Sequence, residues 1–120
     1  MKKLILILTI MFSINMFGEE ISTIDQNNSY IYLYNYKGKK YKSLSTSATG
    51  KVVGYSSTFF ITEKGSWYYL YDSDGKRYAS MSKNNMGDII NVTSNSFTTQ
   101  KGCWVYTYDR NGKRISVRQK

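Results

Sequence analysis

The stretch W-Y-Y-L-Y-D-S-D-G-K-R-Y-A-S-M, residues 67–81, decides the fold. Its first six residues alternate in period two, with Trp67, Tyr69 and Tyr71 on one face and Tyr68 and Leu70 on the other. Aromatic side chains suit a pleated, half-buried surface. Asp72-Ser73-Asp74-Gly75 reads as a hairpin turn in which Gly75 supplies the positive φ. Residues 76–82 return as a second strand. Downstream, residues 88–93 and 96–101 form another hairpin, turning at Ser94-Asn95.

The same pattern recurs on both sides. Gly38, Gly75 and Gly112 stand 37 residues apart, and residues 29–65 align without gaps to residues 66–102, identical at 15 of 37 positions. A partial third copy covers residues 103–120. Each copy opens on an aromatic (Tyr30, Trp67, Trp104), adds Tyr32, Tyr69 and Tyr106, then Tyr34, Tyr71 and Tyr108. Asn35, Asp72 and Asp109 follow, then the turn glycine and a basic pair: Lys39-Lys40, Lys76-Arg77, Lys113-Arg114. A fixed period of this size marks a propeller or a solenoid. The earlier copy predicts strands over 51–56 and 58–64, and residues 19–25 align upstream as a degenerate strand. No helical period appears after residue 18. The expected fold is all-β: an antiparallel β-repeat of incomplete propeller-like blades with a 37-residue period.

The N-terminus reads differently. Lys2 and Lys3 precede an uncharged, nearly all-apolar run from Leu4 to Phe17, and Glu19-Glu20 open the polar sequence. This is the layout of a secretory signal. The run of about 14 residues is short for a bilayer span of about 20; an uncleaved N-terminal anchor is the alternative. Residues 1–18 are therefore expected to be a signal peptide, cleaved near Gly18. Residues 19–120 form a single domain, secreted or periplasmic in a bacterial envelope.

Composition excludes much chemistry. The chain has 120 residues, no His and one Cys, Cys103. His bases, His metal ligands and His-centred triads are ruled out, as are an intrachain disulfide framework and a Cys-cluster zinc site. The formal net charge is +9, and +7 once Lys2 and Lys3 are set aside. That balance favours anionic partners such as nucleic acid, lipid head groups or acidic glycans.

The order from Lys51 to Ser82 resembles a tryptophan–aspartate-repeat propeller blade: V-V-G-Y-S, F-F-I-T-E-K-G, S-W-Y-Y-L-Y-D, then G-K-R-Y-A-S-M-S. The aromatic–Asp pair is present as Tyr71-Asp72 and Tyr108-Asp109, with Tyr34-Asn35 a departure, and the usual Gly-His pair is missing. The resemblance implies fold rather than function. A closed propeller needs at least about four blades and the chain has about two and a half, so self-association is expected. Residues 67–81 also resemble the choline-binding cell-wall repeat, W-Y-Y-L-x-x-x-G-x-M, whose period is nearer twenty. That resemblance implies aromatic binding of a surface polymer.

Among candidate sites, the aromatic ladder (Tyr30, Tyr32, Tyr34, Trp67, Tyr69, Tyr71, Trp104, Tyr106, Tyr108) and the turn glycines are expected to be structural anchors, although exposed rings bind sugars and bases. Tyr68 and Tyr78 are candidate ligand-binding rings. The basic pairs Lys39, Lys40, Lys76, Arg77, Lys113 and Arg114 would form a stripe able to hold a polyanion, or a charged edge set against aggregation. Asp72, Asp74 and Asp109 suit turns better than a carboxylate pair. Cys103 aligns with Ser29 and Ser66 and is expected to be a buried, inert thiol. The function expected is a non-enzymatic binding module, without metal or cofactor, for an anionic glycan, envelope polymer or protein. The alternative is an assembly protein whose blades complete one another as a homo-oligomer. Secretion disfavours nucleic acid.

Overall fold

A computed structural model describes residues 19–120. The expected signal peptide lies outside the described residues. Eleven strands form three open antiparallel sheets. The first sheet contains β1 (Thr23–Gln26), β2 (Tyr30–Tyr34) and β3 (Lys40–Ser45). The second contains β4 (Lys51–Tyr55), β5 (Phe59–Lys64), β6 (Trp67–Asp72) and β7 (Arg77–Ser82). The third contains β8 (Asp88–Val92), β9 (Ser96–Lys101), β10 (Trp104–Asp109) and β11 (Arg114–Gln119). Within each sheet consecutive strands are hydrogen-bonded neighbours, so each is a simple meander. Strands of the third sheet start 37 residues after their counterparts in the second.

Two single helical turns interrupt the all-β reading: α1 (Thr46–Thr49) and α2 (Lys83–Met86). Four residues are too few to show a 3.6-residue period, which is why the sequence pattern missed them. They bridge one sheet to the next. Thr62 Oγ1 donates to the Thr49 carbonyl at 2.6 Å, and Tyr68 Oη donates to the Gly87 carbonyl at 2.9 Å.

Period-two alternation sends the two faces of β6 into two different cores. Phe60, Tyr69 and Tyr71 pack on Ile24, Ile31, Leu33 and Leu44 of the first sheet. Phe59, Ile61, Tyr68 and Leu70 pack on Phe97, Tyr106 and Tyr108 of the third. The middle sheet is thus buried on both faces and holds its neighbours together. Stacked pairs tie strands within the cores, Phe60 on Tyr71 at 5.0 Å and Phe97 on Tyr108 at 5.2 Å.

Expectations at five residues are corrected: three anchors, one binding ring and the thiol. Tyr30, Trp67 and Trp104 open their strands beyond the edge of each core and are 48%, 47% and 46% exposed. Tyr68 is buried at 1% exposure with its hydroxyl bonded, which removes it from the accessible binding residues. Cys103 sits in the tight turn before β10 and is exposed. The position aligned with Ser29 and Ser66 is thus a turn position and not a core one.

Candidate functional site: the row of turns

The basic pairs follow the three turns that join β2 to β3, β6 to β7 and β10 to β11. Each turn is closed by one side-chain oxygen. Asp72 Oδ1 accepts from the N–H groups of Asp74 at 2.9 Å and Lys76 at 3.0 Å. Asp109 Oδ1 does the same for Asn111 and Lys113, both at 2.9 Å. Asn35 Oδ1 accepts from Lys37 and Lys39, both at 3.0 Å. Only an amide or carboxylate oxygen is required, so the Asn departure leaves the turn intact. These acids close turns, as their positions implied.

Each hairpin then carries a one-residue bulge. Leu33 pairs with Lys42 and Tyr34 with Lys40, leaving Tyr41 as the extra residue. The same slip leaves Tyr78 in the second sheet and Ile115 in the third. A bulge re-aims its side chain out of the ladder. Tyr41 Oη donates to the Ser73 carbonyl of the second turn at 2.6 Å, and Tyr78 Oη donates to the Arg110 carbonyl of the third turn at 2.6 Å. These two bonds set the turns side by side. The turn glycine makes the approach close: a Cβ on Gly75 would lie 3.2 Å from Lys42 Cε, and one on Gly112 would lie 3.0 Å from Met81 Sδ.

Burial raises both bulge tyrosines to a pKa of about 12. For Tyr41 the carboxylates of Asp74, Glu19 and Asp72 add to it. For Tyr78 Arg110 opposes the rise and Asp72 and Asp109 support it. Tyr78, a candidate ligand-binding ring, is therefore committed through its hydroxyl to holding the third turn, while its ring stays 40% exposed.

All six residues of the basic pairs are exposed. The second member of each lies over a ring of its own sheet: Lys40 over Tyr32 at 4.7 Å, Arg77 over Tyr69 at 4.8 Å and Arg114 over Tyr106 at 5.7 Å. The row therefore presents pre-oriented cations at three matching corners. It is not uniformly basic. A depression of about 680 Å³ between the turns is lined by Glu19, Glu20, Asp72, Asp74, Tyr78 and Arg110. Four carboxylates and one guanidinium line it, an acidity beside the basic pairs that the pair spacing alone did not foretell.

Two further links had no sequence signal. The Gln26 amide donates to the Val52 carbonyl at 3.2 Å and accepts from the Val52 N–H at 3.0 Å, fastening the first sheet to the free edge of β4. Lys83 pairs with Glu63 at 2.8 Å, clamping α2 to β5. Among the described residues no group of three or more Asp, Glu or Cys is placed to hold a metal ion. Comparison with family models, curated proteins and solved structures gives no match.

Proposed function

We propose that the chain is a non-enzymatic binding module of the cell envelope or exterior, and that its row of turns holds an anionic polymer. The observation that carries this reading is the pair of Tyr hydroxyl bonds, Tyr41 to Ser73 and Tyr78 to Arg110. They place three basic pairs side by side at equivalent corners. An extended polyanion meets such a row as a ladder of charges, and counterion release makes the contact strongly salt-dependent. The interspersed carboxylates select for a ligand whose charges are spaced rather than continuous.

The alternative, blades completed by further copies, is disfavoured by the ends of the stack. Around Val105, the outer face of the third sheet carries Ser96, Thr98, Thr107 and Arg118 where the second, around Tyr68, carries Phe59, Ile61, Leu70 and Met81. A polar terminal face is the mark of a capping repeat.

The test is retention on heparin across a salt gradient. Replacing Lys76, Arg77, Lys113 and Arg114 with Gln keeps the fold, since such surface changes cost within about 0.5 kcal/mol each. The reading expects far weaker retention than when Lys51, Lys64, Lys101 and Lys120 are replaced. Equal losses from the two sets would reduce the row to net charge alone.

A further inference from the structure

The face that is aromatic in every sheet is covered in two of them and open in one. Tyr69 and Tyr71 are covered by the first sheet, and Tyr106 and Tyr108 by the second. Their counterparts Tyr30, Tyr32 and Tyr34 point away from the core formed by Ile31 and Leu33, and among the described residues no sheet lies over them. The opposite end of the stack has been made polar at four positions, yet this end keeps its rings. An exposed aromatic face on a terminal repeat signals a ligand rather than a packing need.

The chemistry of the face narrows the ligand. Tyr30 and Tyr32 are stacked with centroids 6.0 Å apart. Asp25 pairs across from Tyr32 on β1, and Lys40 lies over the same ring, so the face carries one charge of each sign. Beyond Tyr34 the face opens into a shallow depression of about 290 Å³ lined by Thr23, Asp25, Tyr34, Asn35 and Tyr36. Tyr36 is 67% exposed, the highest value among the large apolar side chains of the described residues. A row of tyrosine rings interleaved with Thr, Asp and Lys offers apolar surface for ring C–H groups and donors and acceptors for hydroxyls. Balanced charge suits an uncharged, polyhydroxylated ligand, and the depression takes one pyranose ring.

We infer that the outer face of the first sheet is a carbohydrate platform that stacks the pyranose rings of a neutral glycan chain along Tyr30, Tyr32, Tyr34 and Tyr36. It adjoins the row of turns at Tyr36 and Lys40, but ring stacking needs no net charge, so its binding is insensitive to salt.

Calorimetric titration of the purified protein with cellotetraose and with the N-acetylglucosamine tetramer tests it. Binding of at least one, unchanged between 50 mM and 500 mM salt, is expected. Tyr36→Ala should weaken it at least tenfold with an unchanged melting curve, because that ring is in solvent. Tyr32→Phe, which keeps the ring, should weaken it less. Tyr55→Ala, an exposed ring on β4, should leave it unaltered. No binding at millimolar sugar, or equal binding by the Tyr36→Ala and Tyr55→Ala variants, overturns the inference. A dimer that Tyr30→Ala dissociates, with no sugar bound, also overturns it and assigns the face to a second copy. The loss of heparin retention on replacing Lys76, Arg77, Lys113 and Arg114 reads the second and third turns, which the platform does not use, so either proposal fails without the other.

Discussion

Tyr41 and Tyr78 occupy matching bulges, and each hydroxyl spans to the turn of the next sheet. Their pKa of about 12 lies above the ordinary value of 10. Between those limits the folded chain holds protons that the unfolded chain has released, so stability falls as pH rises from about 10 to 12. Below pH 10 both states are protonated, so the contribution is fully present and no longer depends on pH. Tyr41→Phe and Tyr78→Phe are each expected to cost about 0.5–1.5 kcal/mol at neutral pH through the lost hydrogen bond, and to flatten the alkaline limb. Urea unfolding at pH 8, 10 and 11.5 measures both effects. Gly87 makes a second residue-scale case. Its φ of +89° and ψ of −163° lie where essentially only glycine goes, and a Cβ there would run into the Gln100 carbonyl oxygen. Gly102, at φ +61°, faces open space. Gly102→Ala should therefore cost about 1–2 kcal/mol for the left-handed backbone alone. Gly87→Ala should cost clearly more, and equal melting temperatures for the two variants would contradict the placement.

At the scale of the element, β6 shows why strand sequence is half an answer. Its alternation states that two faces exist, and those faces are the ones found. It does not state that both meet protein, because that depends on residues 37 positions away on either side. Leu70, wholly buried between the second and third sheets, should cost about 2–5 kcal/mol on truncation to Ala. Trp67 looks the more important anchor in sequence but is 47% exposed. Trp67→Ala is expected to cost roughly half of the ~3–5 kcal/mol usual for a buried aromatic. Thermal melts of the two variants should rank Leu70 first. Other elements were legible for simpler reasons. The turns declare themselves because Asx oxygen, glycine and position act together within five residues. The helical turns and the Gln26 staple do not, because one is too short for a period and the other joins a side chain to a distant backbone. The exposure of Cys103 is not legible either, because a small residue at an aligned site is compatible with a tight turn as well as with a core.

At the scale of the whole molecule, the ends of the stack differ. Toward the C-terminal end the bulge residue changes from Tyr to Ile115, which has no hydroxyl to bond a turn and is 58% exposed. In the same sheet the apolar docking face becomes polar. These replacements are visible in the sequence once the copies are aligned, but their meaning requires knowing that this face points outward. Restoring the face with Thr98→Ile, Thr107→Leu and Arg118→Met should create an adhesive end. Sedimentation velocity should show concentration-dependent growth for that variant and none of the same kind for the parent chain.

The central claim is that three turns, fastened side by side, form one ligand edge. The most direct measurement is an amide chemical-shift map of the isotopically labelled protein titrated with a short heparin oligosaccharide at low salt. The largest shifts are expected to fall together at residues 36–41, 73–78 and 110–115, and to fade as salt is raised. Shifts confined to one turn, or spread over Lys51, Lys64, Lys101 and Lys120 as strongly as over the row, would contradict it.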